Sequence, residues 1–159
     1  MPKKVVLAVG LPGSGKSTWF EQRGIVPLSS DLLRLLLADD PTDQRFQDFI
    51  FRALRYLLRL RLQMERRITY LDATNLSAGE RASYIRIAQE HDAEVEAFFF
   101  NIPLEICQQR NRSRGRQVPE DAMLRLAERL TPPTLAEGIL RITTVHPDGS
   151  TSVEGKPAD

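Results

Sequence analysis

Two kinds of apolar pattern alternate along the chain. Mostly apolar runs at 4–9, 68–71 and 95–100 are typical of strands covered on both faces, and a last strand is predicted at 139–145. Between and after them, apolar positions recur with helical spacing. The predicted helices end at about residue 23 and then span about 29–38, 44–66, 79–91, 103–112 and 119–130. This alternation predicts an α/β fold with a central parallel sheet and helices on both faces.

The segment 44–66 has the longest predicted helix. Its predicted apolar stripe consists of Phe46, Ile50, Ala53, Leu57, Leu60 and Met64. Arginines recur every seven residues on another face, at Arg45, Arg52, Arg59 and Arg66, with Arg55 beside them. Seven residues are nearly two helical turns, so these arginines share a face, which is either ordinary solvated surface or a surface that follows a phosphodiester backbone.

Composition sets the outer limits. The 159 residues fit one domain, which we place at 1–146, with a polar tail at 147–159 that we expect to be disordered. The net charge of +1 indicates no particular partner, and the single cysteine, Cys107, excludes a disulfide framework. The sequence shows neither a signal-peptide pattern nor an apolar run of about 20 residues, so we expect a cytoplasmic protein without a membrane partner.

Residues 10–17 match the phosphate-binding pattern G-x-x-x-x-G-K-[S/T] between a predicted strand and a predicted helix. Its glycines allow backbone N–H groups to converge on phosphate oxygens, and the helix N-terminus favours negative charge. Lys16 is predicted to reach the outer phosphates of ATP, and the Ser17 hydroxyl to ligate Mg²⁺. The predicted nucleotide-binding residues here are Gly10, Pro12, Gly13, Ser14, Gly15, Lys16, Ser17 and Thr18.

Two aspartates follow at predicted sheet-edge positions. Ser30-Asp31 is either a helix cap or the start of an acceptor site, where Asp31 accepts a hydroxyl proton and Arg34, on the same helix face, holds an anion. Asp72 ends a predicted strand and either supports Mg²⁺ or forms an Asx-turn. Thr74 and Asn75 orient the acceptor or make that turn, and the sequence does not separate the two.

Four arginines alternate through seven residues at Arg110, Arg112, Arg114 and Arg116. Phosphoryl transfer spreads negative charge over the transferred oxygens, and arginines on a mobile lid neutralise it. The alternative is a solvated basic loop. His91 and His146 have no spacing that suggests catalysis, and we expect both at the surface.

In this order, four elements resemble those of the 5′-hydroxyl polynucleotide kinases of phages and of bacterial and animal end-healing enzymes. They are the phosphate loop, Ser-Asp-x-x-Arg at 30–34, Asp-Ala-Thr-Asn at 72–75 and Arg-Asn-x-x-Arg at 110–114. The segment 133–138 is similar to the closing segment of the animal enzyme. The resemblance covers about residues 4–145 and implies a P-loop kinase fold with an arginine-rich lid.

The resemblance also implies residue roles. Asp31 would be the general base on a 5′-hydroxyl, and Arg34 would contact the neighbouring phosphate of a single- or double-stranded nucleic acid. Lys16 and Ser17 would serve ATP and Mg²⁺, and Arg110 and Arg114 would bind the nucleotide phosphates, Arg114 with a catalytic role. An Asp-x-Asp phosphatase motif is missing from the sequence, and so is a ligase module.

Two other functions fit the same motifs. One is phosphotransfer to a small molecule such as a sugar, nucleotide sugar or antibiotic, which needs no phosphodiester beside the hydroxyl. The other is a nucleotide-sensing switch, but the chain has no Asn-Lys-x-Asp motif for reading a base.

Lys16→Ala should abolish phosphotransfer and leave the fold intact. The ammonium meets charge that grows during transfer, a contribution of about 3–4 kcal/mol in comparable sites. Transfer from labelled ATP, measured beside circular dichroism, checks this; full activity in a folded variant would remove the mechanism.

Overall fold

A computed structural model describes residues 1–114 and 118–158. Its central feature is a six-stranded sheet in the order β2-β3-β1-β4-β5-β6. The strands are β1 (Lys3–Val9), β2 (Leu28–Ser29), β3 (Ile68–Asp72), β4 (Ala93–Phe100), β5 (Arg141–Val145) and β6 (Thr151–Gly155). The first five in this order are parallel, and β6 is antiparallel to β5. The predicted α/β fold is confirmed.

Helices cover both faces of the sheet. They are α1 (Lys16–Gln22), α2 (Ser30–Ala38), α3 (Gln47–Gln63), α4 (Ala78–Glu90), α5 (Leu104–Arg112) and α6 (Glu120–Arg129), with a short 3₁₀ turn at Leu135–Glu137. One core cluster joins β1 and β4 to α3 and α4, while a second joins the sheet to α1, α5 and α6. Within the described residues, no helix combines the length and apolar character needed to cross a membrane.

The predicted stripe of α3 is mostly wrong. The fully buried residues lie four apart, at Ile50, Leu54, Leu58 and Leu62. Phe46 and Met64 flank the helix and are 40% and 63% exposed. Leucines surround much of this helix, so apolar spacing alone does not decide which of them face the sheet. The seven-residue arginine series is also interrupted, because Arg45 and Arg66 lie outside α3.

The predicted disorder of the tail is wrong over Thr151–Gly155. This segment pairs with β5 as β6, and the Lys156 N–H donates to the Leu140 carbonyl at 2.8 Å. Asp148 accepts from the Ser150 N–H and hydroxyl, which closes the turn between the strands. Polar composition therefore marks an exposed edge strand here rather than a disordered segment.

A buried ion pair joins α4 to the segment before β5. The Arg81 side chain is fully buried, and its Nε and Nη2 donate to Glu137 at 2.7 and 3.2 Å. Arg81 Nη1 also donates to the carbonyls of Asn75, Leu76 and Thr131. Burial alone would raise the pKa of Glu137, but hydrogen bonds from Arg81 and Thr134 outweigh it and lower the pKa below the usual 4.5.

Leu58→Ala should lower the free energy of unfolding by about 2–5 kcal/mol, because it opens a cavity in the core. Met64→Ala is the matched control, since Met64 lies mostly in solvent, and should change stability by about 0.5 kcal/mol or less. Urea denaturation of the two variants decides between the observed and the predicted stripe; equal losses would contradict the observed burial.

Glu137→Gln should lower stability by about 3 kcal/mol at neutral pH, because it leaves the Arg81 charge buried without a counter-charge. The native pKa of Glu137 is lowered, so its stabilisation is present above the unfolded pKa and is lost as pH falls through the native pKa. The difference from wild type should therefore shrink below about pH 4.5. Glu90→Gln, in the exposed pair with Arg86, is the control and should show little change at any pH. A difference that stays constant into acid would contradict the assignment.

Candidate active site

A cleft of 1940 Å³ lies at the carboxyl ends of the parallel strands. This is the edge of an open α/β sheet where ligands bind. The loop after β1 and the turn after β3 form its floor, and residues of α2, α3, α4 and α6 form its walls. The predicted site residues that the structure brings together here are Pro12, Gly13, Ser14, Gly15, Lys16, Ser17, Thr18, Asp31, Arg34, Asp72, Arg110 and Arg114.

The phosphate loop has a conformation that requires glycine. Gly13 and Gly15 have φ angles of +83° and +101°, in the region that favours glycine. A Cβ at Gly13 would lie 2.7 Å from the Cys107 carbonyl oxygen, so the loop packs directly on the backbone of α5. Gly10 lies buried at the end of β1, and its N–H donates to the Thr74 carbonyl at 3.3 Å. The loop is thus fixed to two neighbouring elements.

Lys16 lies folded into the loop. Its Nζ donates to the carbonyl oxygens of Gly10 and Leu11 at 2.6 and 3.2 Å. Burial lowers the pKa of Lys16, opposed chiefly by the Asp72 carboxylate. Burial likewise raises the pKa of Asp72, opposed by the Lys16 ammonium. The two charges are therefore close and interact at the cleft floor.

Ser17 and Asp72 fit a magnesium ion by their chemistry. Ser17 is exposed in the cleft, and Asp72 ends β3 in register with Ala8 of β1 and Ser29 of β2. Mg²⁺ prefers oxygen ligands, keeps several waters and needs only one or two protein carboxylates beside substrate phosphates. Among the described residues, no group of three or more His, Cys, Asp or Glu forms a metal-binding cluster.

Asp31 and Arg34 lie one helical turn apart on α2. Arg34 Nη1 donates to Asp31 Oδ1 at 2.9 Å, and Arg34 Nη2 donates to Gln47 Oε1 at 2.7 Å. The Arg34 side chain is only 8% exposed, whereas that of Asp31 is 56% exposed. The α2 helix is capped by the Ser29 hydroxyl, which accepts from the Leu32 N–H, so a capping role for Asp31 is not needed. A buried arginine therefore holds an accessible carboxylate at the cleft.

The turn after β3 has a constrained backbone. Thr74 and Asn75 have φ angles of +59° and +53°, which few non-glycine residues adopt. The Asn75 amide donates to the Ala8 carbonyl at 3.1 Å, and its own carbonyl accepts from Arg81. Asn75 is fully buried, so its side chain makes the turn and joins it to β1.

Three buried side-chain atoms of the described residues lack a hydrogen-bond partner. They are Ser14 Oγ, Arg34 Nε and Asn75 Oδ1. All three residues line the cleft. Buried polar atoms without a partner are rare in folded proteins and call for an explanation such as a ligand or water. Their clustering is a physical mark of the functional site.

The predicted lid is described only in part. Arg110 Nη1 donates to the Gly13 carbonyl at 3.2 Å, and Arg114 lines the cleft, where its charge lowers the pKa of Lys16 as one of several lesser causes. Arg112 instead pairs with Glu120 at 2.9 Å. Arg116 belongs to residues 115–117, outside the described residues. Arg110 and Arg114 therefore lie at the phosphate loop, and Arg112 does not join them.

Sequence reasoning missed Gln47 and Arg81. Gln47 lies on α3, which folds against α2, and helix spacing alone does not reveal that contact. Arg81 occupies a buried position on α4 where a helical pattern predicts an apolar residue. A signal was available for Arg81, because its partner Glu137 belongs to the Pro-Thr-Leu-Ala-Glu-Gly segment at 133–138.

Comparisons with known proteins agree with this geometry. The chain is 24% identical over 136 residues to an L-seryl-tRNA(Sec) kinase from Methanococcus maripaludis, an alignment that covers 81% of this chain and 53% of the relative. The chain thus spans about half the length of this curated relative.

Two solved structures share the fold. A chain in the Pnkp1/Rnl/Hen1 RNA repair complex is 25% identical with a TM-score of 0.67, over 80% of this chain and 44% of that one. The Mycobacterium tuberculosis APS kinase CysC is 22% identical with a TM-score of 0.59, over 94% and 92%, and its likeness concerns the fold alone. A family model described as AAA domain matches residues 5–133. The chain therefore belongs to this AAA-domain family of P-loop kinases.

Proposed function

We propose that this kinase transfers the γ-phosphate of ATP to the 5′-hydroxyl of a polynucleotide, as in nucleic-acid end healing. The observation that carries the proposal is the pair of Asp31 and Arg34 at the cleft. An accessible carboxylate held by a buried arginine suits a base acting on a hydroxyl that lies beside a phosphate.

In this mechanism the phosphate loop and Lys16 bind the nucleotide. Lys16 exchanges its contacts with the Gly10 and Leu11 carbonyls for phosphate oxygens. Arg110 and Arg114 offset charge on those oxygens as it develops. Ser17 and Asp72 would hold Mg²⁺, which when bound neutralises phosphate charge.

Asp31 accepts the proton of the attacking hydroxyl. Arg34 keeps the Asp31 carboxylate in place through Nη1, and Gln47 fixes the other arm of the guanidinium. Each terminal nitrogen of a guanidinium carries two hydrogens, so Arg34 retains donors for an acceptor phosphate. Arg34 thus positions the base and recognises the group next to the hydroxyl.

The relatives support an acceptor carried by RNA. One similar chain belongs to an RNA repair complex, and the curated relative is named as a kinase of seryl-tRNA. The second candidate is a small-molecule acceptor, favoured by the fold likeness to an APS kinase whose chain is covered almost completely.

An acceptor panel tests the proposal. Labelled ATP is incubated with a 5′-hydroxyl oligonucleotide, the same oligonucleotide carrying a 5′-phosphate, a nucleoside and a hexose. We expect label only on the 5′-hydroxyl oligonucleotide, because the nucleoside lacks the phosphate for Arg34 and the 5′-phosphate blocks the acceptor oxygen. Faster transfer to the nucleoside or hexose would favour the small-molecule function, and label on a seryl-tRNA instead would identify the other RNA acceptor.

Asp31→Asn should lower the rate of transfer by about 10²–10⁴ with little change in stability, because asparagine cannot accept the proton. Asp48→Asn is the matched control, since Asp48 also offers a carboxylate to the cleft but has no proposed role. Single-turnover rates and urea denaturation are measured for both variants. Near-wild-type rates for Asp31→Asn would remove the general base.

A further inference from the structure

Two phenylalanines lie in solvent at the start of α3. Phe46 and Phe49 are 40% and 59% exposed, and their ring centroids are 6.4 Å apart in an edge-to-face arrangement. Phenylalanine is among the residue types most often buried, so an adjacent exposed pair needs an explanation. The rings present apolar surface that nothing in the described chain covers.

Arginines accompany both rings. The guanidinium carbons of Arg45 and Arg52 lie 5.1 and 4.9 Å from the ring centres of Phe46 and Phe49. Arg45 also pairs with Asp43 at 2.7 Å. By contrast, within residues 1–114 and 118–158, neither Arg52 nor Arg55 forms an ion pair or donates a hydrogen bond. Their charge is therefore available to an anionic partner.

This surface is continuous with the proposed acceptor site. Arg52 and Arg55 line the cleft, as does Gln47. Gln47 accepts from Arg34 and is the neighbour of Phe46 in the chain. A path of contacts therefore runs from the Asp31–Arg34 pair across Gln47 to the exposed rings. We name the surface formed by Phe46, Phe49, Arg52 and Arg55 the α3 platform.

We propose that the α3 platform binds the nucleotides that follow the acceptor end of a single-stranded polynucleotide. Bases stack on Phe46 and Phe49, and Arg52 and Arg55 contact the phosphates between them. Bases in a duplex already stack on each other and are not free to cover these rings, so the platform selects single strands. This inference rests on the proposed polynucleotide acceptor and adds the form of the strand.

The test compares acceptors of different length. Wild type and a Phe46→Ala/Phe49→Ala double variant are assayed with a nucleoside 3′-monophosphate and with a single-stranded octanucleotide, both with a 5′-hydroxyl. The short acceptor ends before the platform. We expect the double variant to raise KM for the octanucleotide about 10- to 100-fold, while KM for ATP and for the monophosphate stays within about twofold.

Tyr56→Ala is the matched control. Tyr56 is an aromatic residue of the same helix with a similar exposed fraction, 61%, but it does not line the cleft. Its removal should leave both acceptors unaffected. Arg52→Gln/Arg55→Gln should flatten the salt dependence of octanucleotide binding by about two units of slope, one for each lost phosphate contact.

Several outcomes overturn the platform. They are an equal KM for the octanucleotide in wild type and double variant, an equal loss for both acceptors, and a blunt duplex used as well as the single strand. A change in self-association on light scattering, with octanucleotide binding unaltered, would make this surface a protein interface instead. Each of these leaves the proposed function standing.

Failure of the proposed function has a different signature. In that case wild type labels no oligonucleotide but labels a small molecule. Fluorescence anisotropy with a labelled octanucleotide, which needs no turnover, then tests the platform separately. Binding lost in the double variant and kept in Tyr56→Ala supports it, and no binding to wild type overturns it.

Discussion

Complete burial of the Arg81 guanidinium is the constraint around which the site is arranged. A buried cation is tolerated only when it is paired and hydrogen-bonded, and Arg81 meets that demand with Glu137 and three backbone carbonyls. One of those carbonyls belongs to Asn75, in the turn whose left-handed backbone follows Asp72. The charge that stabilises the fold therefore also fixes the turn that carries a cleft carboxylate.

Parallel strand ends complete the arrangement. The register of β1, β3 and β2 places the loop after Val9, the carboxylate of Asp72 and the start of α2 at one edge of the sheet. Lys16, Asp72 and Asp31 influence each other's protonation because this edge brings them together. The three buried atoms without partners lie at the same edge, where the fold leaves polar groups for a ligand.

The parts that could be predicted are those with a local signal. The phosphate loop, the strand ending at Asp72 and the helix carrying Asp31 and Arg34 follow from glycine spacing, apolar runs and a serine cap. The buried side of α3 could not, because leucines occupy several of its faces and only packing on the sheet selects Leu54, Leu58 and Leu62. Strand β6 was missed because an edge strand is exposed, and its polar residues resemble a disordered tail. The contact of Gln47 with Arg34 depends on tertiary structure alone.

The contact of Gly13 with the Cys107 backbone has a mechanical consequence. Because a single added carbon would collide with the Cys107 carbonyl, the loop and α5 have no free space between them, and Arg110 fastens the same junction from the other side. The two elements therefore move as one lever. Any shift of the loop when phosphates arrive is passed along the axis of α5 to its last turn, and the freedom to swing begins only beyond Arg112. Nucleotide occupancy and the direction in which the lid residues point are thus geared together through one glycine.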